Sequence, residues 1–537
     1  MMNQNLHHYP YQSKRTAVTA KHGMVATSQP LAAQAGLDML KQGGNAVDAA
    51  IATAACLTVV EPTSNGIGGD AFAIVWLNHK MHGLNASGVA PEAISIDKVK
   101  ALGHDTMPKF GLTPVTVPGA PSAWVALSKR FGKLPLTTCL APAIEYAREG
   151  FPVSPTVAEY WGKGAKGYAK IFTDAIYDEW FKTFTNDKEP PKAHELWTLP
   201  NHANTLEAIA QTNGKAFYEG NIADQIDAFS RKHNGFIRKS DLIKHQVSWI
   251  DPISVRYRGY DVWELPPNGQ GLVASQAFAM MNHLNVQAMD AEENVHHQIE
   301  AIKLAFADAH TYLTDLDHMP YTPAELLNEQ YIKSRVNRIG KQAKKPSAGT
   351  PPKGGTVYLA TADKDGNMVS FIQSNYMGFG SGIVVPNTGI ALQNRGHTFS
   401  LDKTHANALK PEKKTYHTII PAFLTKDGIP IGPFGVMGGF MQPQGHLQVM
   451  MQCLDNNLNP QAALDAPRWQ WMKGLTVEVE PTMDQILVDA LKKRGHDVVV
   501  TQNIGSFGRG QIIWRNPKTG VLIGGTEMRA DGSIAAW

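Results

Sequence analysis

The chain has few cysteines and no long apolar run. Its 537 residues include three widely separated cysteines, Cys56, Cys139 and Cys453. A fold held by disulfides needs more cysteines, so we expect buried thiols. The polar N-terminal residues 1–27 lack the apolar stretch of a signal peptide, and no later stretch has the length of a membrane span. The sequence therefore predicts a cytoplasmic protein with no membrane partner.

The chain also lacks a large net charge. Fifty Lys and Arg residues against 47 Asp and Glu give a net charge of +3, which argues against a nucleic-acid partner. The 20 histidines are scattered, without a His-Glu-x-x-His motif or a Cys/His pair at ligand spacing, so we expect neither a metal nor a cofactor. His296, His297 and Asp308 share a predicted helix and are most simply solvated or hydrogen-bonded side chains.

Helical and strand patterns alternate along the rest of the chain. Ser28 with Pro30 predicts a capped helix start, and residues 46–57, small and apolar all round, predict a buried helix. Further helices are predicted at 31–41, 122–130, 140–149, 295–313 and 446–454, and strands at 71–77, 115–121, 260–265, 418–424 and 521–525. The Gly-rich loop 61–70 lacks the Lys-Ser/Thr ending of a phosphate loop and predicts a turn beside a substrate pocket. We expect residues 156–250 to pack in the core and to form part of the pocket wall. This pattern favours a layered α+β body.

The stretch around Thr356 carries the strongest chemical signal. A basic run rich in Pro and Gly, residues 341–355, ends at Thr356, and a strand pattern, an Asp-Gly turn and a returning strand at 368–374 follow. One interpretation is an ordinary hairpin after a linker. The other is a cleavage site between Gly355 and Thr356, because a break there gives Thr356 a free α-amine beside its hydroxyl. Nucleophile and base would then sit on one residue.

Several motifs in a fixed order resemble those of the γ-glutamyltransferase (γ-glutamyltranspeptidase) family of N-terminal-nucleophile hydrolases. The resemblance runs from about Met24 to the C-terminus. The motifs are Gln42-Gly43-Gly44-Asn45-Ala46-Val47-Asp48-Ala49-Ala50, Glu61-Pro62, Gly66-Ile67-Gly68-Gly69, Val117-Pro118-Gly119, Ala141-Pro142-Ala143, Leu265-Pro266-Pro267, Leu304-Ala305-Phe306-Ala307-Asp308, Asp363-Lys364-Asp365-Gly366-Asn367, Phe379-Gly380-Ser381-Gly382 and Gly438-Gly439.

The resemblance implies a fold and a set of catalytic roles. The fold is an αββα sandwich, and the chain is a proenzyme cut into a large subunit, 1–355, and a small subunit, 356–537, that stay together. Thr356 Oγ would attack the amide carbonyl while its α-amine relays the proton. Ser374 would orient Thr356. The backbone N–H groups of Gly438 and Gly439 would form the oxyanion hole.

The residues that bind the γ-glutamyl group in the family do not carry over. The positions at issue hold Ser87 for an arginine, Arg395 for a glutamine, Thr398 for an aspartate, Tyr376 for an asparagine, and His417 and Thr418 for paired serines. Loss of both counter-charges would remove most of the affinity for a charged amino-acid head group. The Arg395 fork instead suits a carboxylate. The resemblance thus implies hydrolysis of a small amide with a carboxylate and no α-ammonium, as in the branch that includes oxamate amidohydrolase.

Other interpretations stay open at this point. A γ-glutamyl transpeptidase or glutathione hydrolase could use a rebuilt pocket. A cephalosporin or glutaryl acylase is a further option, although no apolar acyl pocket is evident from the sequence. An uncleaved, non-catalytic binding protein is the alternative from another functional class, and Arg395 could be an ordinary loop ion pair. A homodimer is possible.

Overall fold

The computed structural model describes residues 15–346 and 355–537. The first fourteen residues lie outside this range, and so do Lys353 and Gly354 of the predicted junction. The residues that follow them, from Gly355 onward, belong to the described part of the chain.

The helices of the described residues are α1 (Pro30–Lys41), α2 (Ala46–Val60), α3 (Ile96–Ala101), α4 (Ala120–Phe131), α5 (Leu136–Glu149), α6 (Pro155–Tyr168), α7 (Asp178–Phe184), α8 (Pro200–Thr212), α9 (Lys215–Tyr218), α10 (Asn221–Lys232), α11 (Lys239–Lys244), α12 (Gly271–Asn282), α13 (Ala291–Tyr312), α14 (Pro323–Leu326), α15 (Glu329–Val336), α16 (Met441–Leu454), α17 (Pro460–Asp465) and α18 (Gln485–Lys493).

The strands are β1 (Val18–Ala20), β2 (Gly23–Thr27), β3 (Asp70–Leu77), β4 (Lys80–Asn85), β5 (Phe151–Pro152), β6 (Leu196–Trp197), β7 (Ser248–Ile250), β8 (Ile253–Tyr257), β9 (Tyr260–Glu264), β10 (Gly355–Asp363), β11 (Met368–Tyr376), β12 (Ala422–Lys426), β13 (Ile429–Met437), β14 (Trp469–Lys473), β15 (Thr476–Val479), β16 (Asp497–Val500), β17 (Arg509–Arg515), β18 (Leu522–Thr526) and β19 (Ser533–Ala536).

Two seven-stranded sheets form the centre of the molecule. One has the order β1-β18-β17-β13-β12-β9-β8 and the other β19-β2-β10-β11-β3-β4-β7. A side-chain layer that includes Phe72, Tyr358 and Phe423 fills the space between them. The outer face of the second sheet packs against α2, α4 and α5, and the outer face of the first packs against α12, α13 and α16. This is the predicted αββα arrangement of the α+β class.

The predicted hairpin at Thr356 is confirmed as β10 and β11. Tyr358 and Ala360 point between the sheets, whereas Val357 and Leu359 point to the helical layer, as a period of two requires. Asp363 closes the turn by accepting the backbone N–H groups of residues 365 and 367. Because β10 lies between β2 and β11, Thr356 begins an internal strand.

Most predicted elements are confirmed, and three local predictions are wrong. Gln29 caps α1, because its side chain accepts the first helical N–H groups, while Ser28 instead donates to Glu61. Residues 115–119 are not a strand. Instead, they contact the 61–70 loop, where the N–H of Gly119 donates to Gly69 O at 2.9 Å. Residues 418–421 are irregular, and β12 begins at Ala422.

Burial tests two further expectations. Cys56 and Cys139 are buried thiols as expected, but Cys453 is only half-buried, and none of the three forms a disulfide. For His296 and Asp308, the hydrogen-bonded alternative is confirmed and the solvated one is wrong. Both are buried, His296 contacts Gly340 O at 2.7 Å, and Asp308 pairs with Arg335 at 2.9 Å. The aromatic residues of 156–250 do pack in the core, as Trp161 and Trp180 both contact Phe379. Among the described residues, no helix is long and apolar enough to cross a bilayer.

Candidate active site

Thr356 is a buried hydroxyl at the start of an internal strand. Its Oγ donates to Ser374 Oγ at 3.2 Å, on the neighbouring strand β11. The side-chain N–H of Gln442 donates to the same Thr356 Oγ at 3.3 Å. Thr356 is 1 % exposed and Ser374 is fully buried, so bulk water barely screens this cluster. The two predicted catalytic hydroxyls therefore lie together.

Ser374 connects three groups of the site. Besides the Thr356 hydroxyl, its Oγ accepts the backbone N–H of Tyr376 at 2.8 Å and an Nη of Arg395 at 3.3 Å. Tyr376 has a φ of 77°, a left-handed conformation that is uncommon for an aromatic residue. Backbone of this kind persists where its surroundings impose it, often at functional sites.

Gly438 and Gly439 form the turn between β13 and α16. Their φ angles of 137° and 60° favour glycine. Within the described residues, neither N–H group has an acceptor of its own. The side chain of Gln270 holds the turn by donating to Gly439 O at 2.8 Å and to Thr418 O at 2.6 Å. The two N–H groups can thus serve as the predicted oxyanion hole, close to the Gln442 contact with Thr356.

Arg395 lies behind the nucleophile and is fully buried. Its guanidinium donates to Thr418 Oγ at 2.7 Å and to Ser374, and it stacks over the ring of Tyr376 at 4.4 Å from the centroid. The alternative of an ordinary loop ion pair does not describe this environment. The nearest opposite charge is the buried Asp70, which acts on Arg395 without a direct salt bridge.

Asp70 and His417 form a buried pair beside Arg395. His417 Nδ1 accepts the N–H of Ile419, so its Nε2 carries the proton and donates to Asp70 at 3.0 Å. Asp70 also accepts from Gln393 and from the N–H of Gly88. The carboxylate therefore has a full set of partners.

Burial is the main influence on the charges of this group. It raises the pKa of Asp70 to about 7 against the lowering effects of Arg395 and its hydrogen bonds. Burial and Arg395 hold the pKa of His417 well below its ordinary value, so this imidazole is neutral at neutral pH. Burial also lowers the pKa of Arg395 to about 10, which leaves the guanidinium charged.

Two other predicted substrate residues have internal partners. Ser87 Oγ donates to Asn85 Oδ1 at 2.8 Å and accepts from the side-chain N–H of Asn268 at 3.2 Å. Thr398 Oγ donates to the carbonyls of Arg395 and Tyr416 at 2.8 and 2.9 Å. Neither residue supplies a charge for an amino-acid head group.

A cavity of about 590 Å³ borders the site at Tyr376 and Phe440, although Thr356, Ser374 and the Gly438–Gly439 turn do not line it. Tyr376, Thr398 and Phe440 line it, and so do residues of α13 and of the 399–407 loop. Aromatic rings and histidines form part of the wall, among them Phe399, Tyr416, His310, His397 and His405, and most of the remaining lining residues are small or polar. The Tyr376 hydroxyl is buried and has no hydrogen-bond partner among the described residues. Arg395 and Ser87 are not part of the wall.

Sequence reasoning missed four polar residues of the site: Asp70, Gln270, Gln393 and Gln442. Each one is distant in sequence from the group that it contacts. A usable signal did exist for Gln442, a polar residue in the first turn of a helix that follows Gly-Gly. For Asp70, the signal was a carboxylate at the end of a Gly-rich loop.

One cluster of metal-type ligands exists elsewhere in the described chain. His296, Glu300 and His496 place three donor atoms within 4.8 Å of one another. Lys303 donates to Glu300 at 2.7 Å, and Arg494 adds a second positive charge near His496. Two cations oppose a bound divalent ion. The absence of a metal therefore stays a prediction.

The chain is similar to a known protein family and to several of its members. A family model described as Gamma-glutamyltranspeptidase matches residues 32–537. The glutathione hydrolase-like YwrD proenzyme of Bacillus subtilis is 35% identical over 95% of this chain and 97% of its own length. The oxamate amidohydrolase proenzyme of Klebsiella pneumoniae is 31% identical over 96% of this chain and 98% of its own.

A solved structure is similar over the whole length. The crystal structure of cephalosporin acylase from Bacillus halodurans has a TM-score of 0.97 and 58% identity, and it covers 100% of this chain and 99% of its own.

Proposed function

Because the chain belongs to the gamma-glutamyltranspeptidase family, we propose that it is a self-cleaving amidohydrolase with Thr356 as its nucleophile. The observation that carries the proposal is the position of Thr356. It begins an internal strand directly after the predicted junction, and its hydroxyl contacts Ser374 and Gln442. Cleavage before Thr356 would yield subunits 1–355 and 356–537.

The contacts support a two-stage reaction. Thr356 Oγ forms a bond to the substrate carbonyl carbon and passes its proton to the α-amine, while the N–H groups of Gly438 and Gly439 stabilise the oxyanion. The C–N bond then breaks, and the leaving nitrogen takes the proton from the α-ammonium. Water attacks the resulting threonine ester with the α-amine as base. The free acid and the original hydroxyl are regenerated.

For the substrate, we infer an amide whose acyl group extends into the aromatic cavity and bears no α-ammonium. A volume of about 590 Å³ is typical of sites for molecules larger than a two-carbon acid amide. The family's charged contacts are replaced by Ser87 and Thr398, whose hydroxyls already have partners. The 58% identity to a structure titled cephalosporin acylase supports the same inference.

Oxamate is the second candidate. Thr398 stands where the family has an aspartate and leaves no counter-charge for an ammonium, and a 31% identical relative carries the name oxamate amidohydrolase. A γ-glutamyl substrate is the third option, supported by the 35% identical glutathione hydrolase-like relative. We also propose that the protein acts in the cytoplasm.

The decisive first experiment is the intact mass of the purified protein beside its Thr356→Ala variant. We expect two fragments that meet at Gly355–Thr356 in the wild type and one chain in the variant, because only the hydroxyl can attack the preceding carbonyl. Thr361→Ala, on the same strand, is the matched control and should still be cut. An uncut wild type that stays uncut on incubation contradicts the proposal.

A panel of three amides then separates the substrates. The probes are glutaryl-p-nitroanilide, oxamate and γ-glutamyl-p-nitroanilide, followed by release of p-nitroaniline or ammonia. We expect the glutaryl amide to give the highest kcat/KM. A cut enzyme that prefers the γ-glutamyl probe would refute the inferred acyl group while leaving the nucleophile in place.

A further inference from the structure

We propose that Arg395 is a positioning residue for the nucleophile, whose charge keeps the α-amine of Thr356 in the neutral form that accepts the proton. The inference rests on the proposed function, because the α-amine exists only after the Gly355–Thr356 bond is cut. It gives Arg395 a role other than the carboxylate binding expected from the sequence.

The geometry connects Arg395 to the nucleophile through one hydroxyl. The guanidinium donates to Ser374 Oγ at 3.3 Å, and the same oxygen accepts from Thr356 Oγ at 3.2 Å. The guanidinium is fully buried and does not line the substrate cavity. The ring of Tyr376 lines the cavity and covers the guanidinium, 4.4 Å from the ring centroid, so a substrate carboxylate in the cavity would have to displace that ring to reach Arg395.

The α-amine needs such a neighbour. A free α-amine has an ordinary pKa of about 7.7 to 8.0, so most of it is protonated at neutral pH. An ammonium has no lone pair and cannot take the proton from the Thr356 hydroxyl. A like charge nearby disfavours the ammonium and lowers its pKa, with an effect that is larger in a buried site.

The other charged groups around the nucleophile set the net effect. On β3, the negative charge of Asp70 offsets part of the positive charge of Arg395. The Asp70 carboxylate also accepts hydrogen bonds from His417, Gln393 and the N–H of Gly88. The remaining titratable neighbours are Tyr376 on β11, and Tyr416, His417 and Lys414 on the segment before β12. Burial keeps the two tyrosines and His417 neutral. On α16, the contact to Thr356 is the neutral amide of Gln442.

The test is the pH dependence of kcat/KM for the processed wild type, Arg395→Gln and Arg395→Lys, with the amide that the wild type hydrolyses best. Activity rises as the α-amine loses its proton. Removing the cation should raise the pKa of the amine and move the acidic limb of Arg395→Gln about one pH unit higher. We expect a loss of about four- to sixfold near pH 7 that is recovered near pH 9. Arg395→Lys should keep the limb close to that of the wild type.

A second readout makes the outcome independent of turnover. The rate at which acetic anhydride acetylates the N-terminal amine of fragment 356–537, followed by mass, reports the same protonation step. Asp70→Asn should shift both readouts to lower pH, because it removes the opposing charge, and it serves as the test if Arg395→Gln stays uncut. A uniform loss of kcat with no shift in any variant would overturn the inference. An uncut wild type would instead refute the proposed function.

Discussion

At the scale of single residues, Gly88 and Gly119 allow two backbone segments to lie in close contact beside Asp70. A Cβ on Gly119 would lie 1.4 Å from Ala86 O, and one on Gly88 would lie 1.7 Å from Val117 O. The N–H of Gly88 also donates to the Asp70 carboxylate. These contacts are backbone to backbone, so no side-chain rotation can relieve a clash.

We therefore expect Gly119→Ala to lower the free energy of unfolding by about 3 kcal/mol, at the upper end for overpacked sites. Gly167→Ala is the matched control. It lies in helix α6 with nothing within 4 Å of its added methyl, so it should be neutral or gain about 0.5 to 1 kcal/mol. Urea midpoints of both variants would check this. Equal midpoints would mean that the 115–119 segment is looser than the distances indicate.

Residue positions were predictable where a motif states them. Thr356 and Ser374 lie together as expected, and the Gly438–Gly439 turn leads into the helix whose Gln442 contacts Thr356, while their catalytic roles stay predictions. Arg395 was expected in the substrate pocket, yet its guanidinium lies behind Ser374, because its direction depends on Thr418 and Tyr376, which come from two other segments. No local pattern encodes such a packing direction.

At the scale of elements, a buried ionic network joins the end of β18 to α17 and to the small sheet β14-β15-β16. Glu527 accepts from Arg468 at 2.9 Å and from Arg529 at 2.7 Å, and Arg529 also pairs with Glu480. Burial alone would raise the pKa of Glu527, but the two arginines outweigh it and lower the pKa to about 2. The network fixes the small sheet on the body.

Glu527→Gln should cost about 3 to 5 kcal/mol of unfolding free energy at pH 7, because it leaves the buried guanidinium of Arg468 without its ion-pair partner, while Arg529 keeps Glu480. The carboxylate has a lower pKa folded than unfolded, so its contribution is complete above about pH 4.3 and is lost as pH falls toward 2. Urea midpoints of wild type and variant should thus converge below about pH 4.3. Glu207→Gln, which breaks the exposed Arg148–Glu207 pair, should change stability by less than about 1 kcal/mol.

Element prediction succeeded where periodicity was clear and failed where tertiary contacts replaced it. Helix α13 was readable from its apolar period, and the β10–β11 hairpin was readable from its Asp-Gly turn and returning strand, although β10 is buried on both faces. The apolar residues 115–119 looked like a strand, but their backbone N–H groups bond to loops instead of a ladder. Apolar content alone does not distinguish a strand from a buried irregular segment.

At the scale of the whole molecule, the two proposed subunits share both sheets. Strands β10 and β11 of the later part lie between β2 and β3 of the earlier part, and β12 pairs with β9. The predicted boundary at residue 355 is therefore a boundary in sequence, and neither part holds either of the two seven-stranded sheets by itself. The sequence could not show this, because strand order depends on long-range pairing.

Cleavage before Thr356 should consequently leave the subunits in one particle. We expect fragments 1–355 and 356–537 to elute together in native size-exclusion chromatography and to separate only in denaturant, since parting them would break the ladders of two sheets and open the core between them. The uncut Thr356→Ala variant should elute at the same volume. Separation of the fragments in native buffer would contradict the shared sheets.

The strand order also determines when parts of the sheet can form during biosynthesis. Strand β2 pairs with β10 on one side and with β19, at Ser533–Ala536, on the other. One of the first strands to be synthesised therefore cannot complete its pairing until one of the last has been made. Contacts that span so much of the chain form slowly and late. The Thr356 hydroxyl has both its Ser374 and its Gln442 contact only after residue 442 has emerged. Under the proposed function, we therefore expect cleavage before Thr356 to follow the synthesis of most of the chain.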